Sequence, residues 1–291
     1  MNNSMINSAV SMRSIQQKLD LIANNIANVS TTGYKRKEAS FQDVLTSVKQ
    51  QPSGFDRTGR MTPLGYNQGW GSKLVEAQVN MAQGSLELTN NPLDFAVEGN
   101  GLFEVAAVTL DANNEPVQST RWTRNGAFDI SPSVDPGDPD GYLTTKDGHY
   151  IVGEDDAPIR VPVNHRITVH ANGQVVAYNE ADKTAPPIEI GQLKLVRVIR
   201  PQQLQQIGDN MYALRDGITP EQREEILQTV TADNNNVDPI TVRQGFLEQS
   251  NVSLTDEMSE LMTIQRAYQL NARAISSSDQ MMNMAYNLRG T

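Results

Sequence analysis

Each end of the chain carries a long proline-free stretch in which apolar residues return every three or four positions, and these two stretches constrain the fold more than any other feature. In the first, Met5, Met12, Ile15, Leu19, Ile22, Ile26 and Val29 step by 7, 3, 4, 3, 4 and 3. That is a heptad seam on one face of a helix, with polar Ser8 at the position the alternation skips. A helix over 4–28 would run roughly 38 Å at 1.5 Å per residue. It should stop in STTGY at 30–34, where Gly33 can take the left-handed backbone that ends a helix.

The other end repeats the pattern. Leu254, Met258, Leu261, Gln265, Tyr268, Ala272, Ile275, Asp279, Met282 and Tyr286 step by 4 and 3, with Gln265 and Asp279 as polar interruptions. Ser253 and Asp256 form a weak capping box, and Asp256, Glu257 and Glu260 suit the positive end of a helix dipole. A helix from Ser253 to Arg289 would reach roughly 55 Å. A two-helix stalk within one chain is the plain reading of such ends. Met258, Leu261, Met262, Ile264, Leu270 and Ile275 spread beyond one narrow stripe, however, so partners from other copies are expected to cover the rest.

The 291 residues carry a formal net charge of −10, unevenly placed: 1–49 sum to +3, 50–244 to −11 and 245–291 to −2. A surface that grips phosphates through Lys and Arg is therefore not expected, and nucleic acid drops out as a partner. No run approaches the roughly 20 apolar residues of a bilayer helix, so membrane insertion is not expected. The opening MNNSMINSAVSMRS lacks the apolar block of a cleavable secretory signal. The chain has no cysteine, which excludes disulfides and zinc fingers alike.

Proline and glycine punctuate the centre. Residues 50–73 hold Pro52, Gly54, Gly59, Pro63, Gly65, Gly69 and Gly71 with no periodicity, and read as an extended linker. From about 80 to 214, short apolar runs alternate with turn signals. DFAVEGNGLFEV at 94–105 and the pairs Asn125-Gly126, Asp147-Gly148 and Asn172-Gly173 give four hairpin signals and an antiparallel, all-β domain. TPEQREEIL at 219–227 interrupts it with a short helix, capped by Thr219, opened by Pro220 and boxed by Gln222. The fold class is α+β: N- and C-terminal helices forming a discontinuous coiled-coil domain (1–34 and 245–291), an extended segment at 35–79, and a central antiparallel β domain at 80–244.

Catalytic signatures are scarce. No G-x-S-x-G, H-E-x-x-H or phosphate-binding P-loop occurs. His165 and His170 are five apart and fall on opposite strand faces, which disfavours a shared metal. DPGDPDG at 135–141 lacks a calcium ligand at its first position and reads as a stiff loop. The basic cluster YKRK at 34–37 reads as a solvated face beyond the first helix, with an anionic partner as the alternative. No enzyme activity, cofactor or metal is expected. The candidate functional residues are instead the seams, as an assembly interface: Met5, Met12, Ile15, Leu19, Ile22, Ile26, Val29, Leu254, Met258, Leu261, Tyr268, Ile275 and Met282.

Four segments carry a family resemblance: IANNIANVSTTGYKR at 22–36, QGSLELTNNPLDFAVEGNGLFEV at 83–105, RWTRNGAFDI at 121–130 with GYLTTKDGHYI after it, and GFLEQSNVSLTDEMSELMTIQRAYQLNARAISSSDQMM at 245–282. Together they resemble the signatures of the axial proteins of the bacterial flagellum, most closely basal-body rod proteins of the distal type. The resemblance implies a non-enzymatic building block of the basal body, exported unfolded by the flagellar export apparatus without a cleaved signal. It also implies a helical polymer of copies of itself, bounded by neighbouring rod and hook proteins, that transmits torque. In this family the terminal helices form the inner core of the tube and the β domain lies outside. TPEQREEILQTVTADNNNVDP is longer and more charged than the usual family connection. A hook-type axial protein, a dimeric coiled-coil adaptor, and an extracytoplasmic enzyme or wall-binding module are the competing readings.

Overall fold

The fold is that of a computed structural model, which describes residues 2–43, 47–49, 66–68, 72–110, 116–132, 140–179, 186–208, 210–215, 217–231 and 239–289. In chain order the elements are α1 (Asn2–Ala27), β1 (Lys37–Asp43), β2 (Ser47–Lys49), β3 (Tyr66–Gln68), β4 (Ser72–Val79), β5 (Leu86–Leu88), β6 (Phe95–Glu98), β7 (Gly101–Leu110), β8 (Pro116–Thr123), β9 (Phe128–Pro132), β10 (Gly141–Thr145), β11 (Tyr150–Ile151), β12 (Arg160–Val161), β13 (His165–Val169), β14 (Gln174–Asn179), β15 (Ile188–Gln192), β16 (Leu195–Val198), a 3-10 turn (Pro201–Gln203), β17 (Leu204–Gly208), β18 (Met211–Leu214), α2 (Pro220–Ile226), β19 (Leu227–Thr229), β20 (Thr241–Gln244), β21 (Phe246–Glu248) and α3 (Leu254–Arg289). The linker expected at 50–73 lies outside the described residues except for 66–68 and 72–73, which are strand, and most of the DPGDPDG loop lies outside them too.

Two compact units result. The first comprises Met1–Ala27, Lys37–Gln78 and Ser253–Thr291. Here α1 and α3 run antiparallel: Asn25 near the end of α1 meets Glu257 at the start of α3, and Lys18, two turns earlier, pairs with Glu260. Their shared core is thin, with Ile15, Ile22 and Ile264 buried and Leu19, Ile26, Leu261 and Ala267 packed around them. Asn25 closes the end of this pair. Its buried side-chain amide donates to the Lys37 carbonyl (3.0 Å) and to Glu257 (3.3 Å) and accepts from the Lys37 N–H (3.0 Å), so β1 leaves the helix pair at a fixed point.

The second unit comprises Asn28–Arg36 and Val79–Val252. Ten of its described strands form one antiparallel sheet in the order β12-β10-β11-β7-β8-β18-β17, with β16 also on β7, β19 on β16 and β9 on β10. A three-stranded sheet (β13-β14-β15) and the pairs β20-β6 and β21-β5 complete it. Because side chains alternate along a strand, β7 buries both faces. Phe103 and Val105 enter a core with Phe95, Phe128, Leu143 and Ile151, while Leu102 enters a second core with Trp122, Val196 and Tyr212. That second core needs a lid, and Ile226 and Leu227 at the end of α2 supply it. The local sequence builds α2 as its residues suggest, with Thr219 at the N-cap, Pro220 in the first turn and Gln222 closing the capping box.

Two of the four expected hairpins form, across Asp147-Gly148 (β10 with β11) and Asn172-Gly173 (β13 with β14). The other two are corrected by long-range pairing. β6 pairs with β20 instead of β7, and Asn125-Gly126 carries the chain from β8, paired to β7 and β18, into β9, paired to β10. Glycine there serves close approach: a Cβ on Gly126 would lie 1.6 Å from the Phe95 carbonyl oxygen.

Gly33 has φ +69°, as its place after α1 requires, and a Cβ on it would lie 2.6 Å from the Asn125 nitrogen. Gly148 has a similar φ of +85° with nothing within 4 Å. Gly148→Ala should therefore cost about 1–2 kcal/mol for the left-handed backbone alone, and Gly33→Ala about 2–4 kcal/mol with the clash added. Urea unfolding of the second unit, followed for each variant, checks the difference; equal losses would contradict it.

Candidate functional site

The expected seam residues divide into three groups in the structure. Ile15 and Ile22 are buried between α1 and α3, with Leu19, Ile26 and Leu261 half-buried beside them. Met5, Met12, Ile275 and Met282 are half-buried on the helices, and Val29 is half-buried in the turn after α1 ends at Ala27. Leu254, Met258 and Tyr268 are exposed. Among the described residues of α3 the deepest apolar one is Ile264, which lies off the 3-4 stepping. Beyond the shared core α3 leaves Met262, Leu270 (64% exposed), Met281, Met284 and Leu288 (80% exposed) uncovered.

A second feature was hidden in the sequence. YKRK reads as solvated, yet Tyr34 and Lys35 are each only 2% exposed. Their burial has a physical cause: the turn at Gly33 directs the chain into the second unit, where an acidic partner waits. The Lys35 ammonium donates to Glu248 Oε1 at 2.6 Å and to the carbonyls of Ala82 (2.8 Å) and Met81 (3.4 Å). Arg124 donates from Nε to Glu248 Oε2 at 2.5 Å, from Nη2 to the Val97 carbonyl at 2.8 Å, and from Nη1 to the Gly101 carbonyl. Glu248 further accepts the Gly84 N–H (2.8 Å) on its carboxylate and the Gly33 N–H (2.8 Å) on its backbone oxygen. One carboxylate thus gathers two cations and a backbone amide.

Asn251 repeats the joining just beyond. Its Oδ1 accepts the Arg36 N–H at 2.6 Å, and its amide donates to the carbonyls of Asn80 and Ala82, both at 2.9 Å. Burial and the nearby Arg124 charge outweigh the attraction of Glu248 and lower Lys35 from 10.5 to about 8. Burial also pushes the Tyr212 hydroxyl up. The sequence signal for these residues was faint but real. Glu248 is the single charge closing the strand FLE at 246–248, whereas Arg124 directly follows a strand that already carries Arg121, and the two are of opposite sign.

Elsewhere in the second unit, Glu104, Asp156, Lys194 and Arg223 line a cavity of about 470 Å³. Glu104 accepts from Trp122 Nε1 (3.1 Å), Arg223 (3.2 Å) and Lys194 (2.9 Å), and Arg223 lies over the Trp122 ring at 5.2 Å. These charges satisfy one another, and they fasten α2 to the sheet.

Three family models match the chain. One described as flagella basal body rod protein covers residues 10–35, the flagellar hook protein FlgE/F/G D1 domain covers 96–177, and the flagellar basal body rod FlgEFG protein C-terminal region covers 243–288. Each contains one member of the ionic node: Lys35, Arg124 and Glu248 in turn. Whole-chain relatives agree. The basal-body rod protein FlgG of Agrobacterium fabrum is 33% identical, with 95% of each chain covered, and FlgG of Borreliella burgdorferi is 31% identical over 97% of this chain and 96% of its own. The chain belongs to the flagellar basal-body rod family. It is of the distal-rod type, a structural subunit of the basal-body rod and not an enzyme. The hook-basal body complex protein FlhP of Bacillus subtilis is also similar, at 29% identity over 99% of this chain and all of FlhP.

The depressed Lys35 gives this rod subunit a pH signature. The folded chain gives up that proton near pH 8 and the unfolded chain near 10.5, so between those values the unfolded state binds more protons and stability rises with pH. Lys35→Met removes the contribution. The melting temperature of the unmodified chain, less that of the variant, should climb by several degrees between about pH 8 and pH 10. A flat difference would show that Lys35 titrates as an ordinary lysine.

Proposed function

We propose that the terminal helices are the polymerising surface of this rod subunit, forming a discontinuous coiled-coil domain in which the seams of one copy meet those of its neighbours. The apolar surface left on α3 carries the reading. Met258, Met262, Leu270, Met281, Met284 and Leu288 are exposed on a helix of 36 residues, while α1, packed against it, has 26. A lone chain in water leaves that stripe uncovered, and further copies cover it. Head-to-tail interfaces of this heterologous kind do not close, so they generate an open helical tube.

Within the seams, Ile15, Leu19, Ile22, Ile26 and Leu261 hold the helix pair of one copy together. Met5, Met12, Val29, Leu254, Met258, Tyr268, Ile275 and Met282 complete the contacts between copies. The core of the tube draws on the helical parts of 1–34 and 245–291, that is α1 and α3, with the β-rich unit outside it. Partners at either end are neighbouring rod and hook proteins. The chain reaches them unfolded through the flagellar export apparatus, and the helices order fully only on joining the tube, where neighbours offset the entropy of ordering.

Met262→Asp and Leu270→Asp test the interface. Both positions are exposed in the single chain, so the second unit should melt unchanged while polymer formation, read by sedimentation and electron microscopy, is lost. Polymer equal to that of the unmodified chain would overturn the reading.

A further inference from the structure

We propose that Glu248 is a folding latch: the second unit stays open until the C-terminal segment 245–251 docks, because only then are the buried cations Lys35 and Arg124 neutralised. The three side chains are 1–2% exposed, and the pairs are separated by 213 and 124 residues in sequence. Among the described residues, Glu248 is the one carboxylate that pairs with either cation. Without it, closing the unit would bury two like charges side by side with only carbonyl oxygens for company. Removing one partner of a buried pair shifts a folding equilibrium by about a hundredfold or more.

The same segment brings β21 onto β5, next in the chain after β20 (Thr241–Gln244) on β6, and Glu248 itself ties down Gly84 and Gly33. A polypeptide is made from its N-terminus, so Lys35 and Arg124 exist in every incomplete chain long before Glu248 does. The unit that a partial chain of some 240 residues would otherwise close is held open by its own uncompensated charge. In a rod subunit the delay keeps the chain threadable until its last segment is delivered, a use that rests on the function proposed above. The latch itself holds wherever the chain folds.

Pulse-labelled hydrogen exchange during refolding of the full chain tests it, with Glu248→Gln and the triple variant Lys35→Met, Arg124→Met, Glu248→Leu alongside. In the unmodified chain, amides of 95–107 should gain protection in the same kinetic phase as those of 241–250. Glu248→Gln, equal in size but uncharged, should slow that phase at least tenfold or abolish it. The triple variant has no charge to neutralise and should gain protection no slower than the unmodified chain. Protection of 95–107 in an earlier phase than 241–250 would overturn the latch. So would Glu248→Gln refolding at the unmodified rate, or a triple variant as impaired as Glu248→Gln, which would make segment docking rather than charge the requirement. Polymerisation is scored separately on the same preparations: a chain that folds through the latch and never polymerises counts against the helix interface alone.

Discussion

A single carboxylate, that of Glu248, holds together the part of this rod subunit that has a substantial core. Lys35 comes from the segment after α1, Arg124 from the turn just after β8, and Glu248 from the segment before α3, so three distant regions of the chain close on one point. A buried ion pair is weak evidence for stability, since its desolvation cost rivals its attraction. Its strength lies in specificity. An unpaired cation at this depth is far costlier than a paired one, so no arrangement that misplaces residues 33–36 or 245–251 satisfies Lys35 and Arg124 together. Asn251 and Gly33 reinforce that choice through backbone hydrogen bonds that need no charge.

The two units are stabilised in different ways. The second has two faces of β7 buried, an aromatic cluster in which Phe103 and Phe128 meet edge to face at 5.1 Å, and α2 fastened over the remaining face by Arg223. The first buries three isoleucines between two long helices and exposes much of the apolar stripe of α3. Structural subunits of a polymer benefit from that contrast. A body that folds alone needs a core of its own, and helices destined for a shared interface must keep apolar surface in reserve.

Much of this was legible in the residues. Both helices follow from 3-4 spacing and the absence of proline, and α2 from Thr219, Pro220 and Gln222. Gly33 follows from its place after the last apolar turn of α1. Sequence periodicity did not single out the packed face of α3, because Ile264, buried in the core shared with α1, lies off the 3-4 stepping. Turn dipeptides also misled where a long-range partner outcompeted the adjacent strand, as β20 does for β6. The node was the least legible feature. Charge is read as exposure unless its partner is known, and the partner of Lys35 lies 213 residues away.

The central claim is that residues 28–36 and 245–252 belong energetically to the β-rich unit and not to the helices they adjoin. Native-state hydrogen exchange on the unassembled full chain, resolved by peptide, tests it most directly. The account predicts that 28–36 and 245–252 exchange as slowly as the core strands 95–107, while 2–27 and 254–289 exchange much faster. Exchange of 28–36 and 245–252 in step with the helices, ahead of the strands, would contradict it.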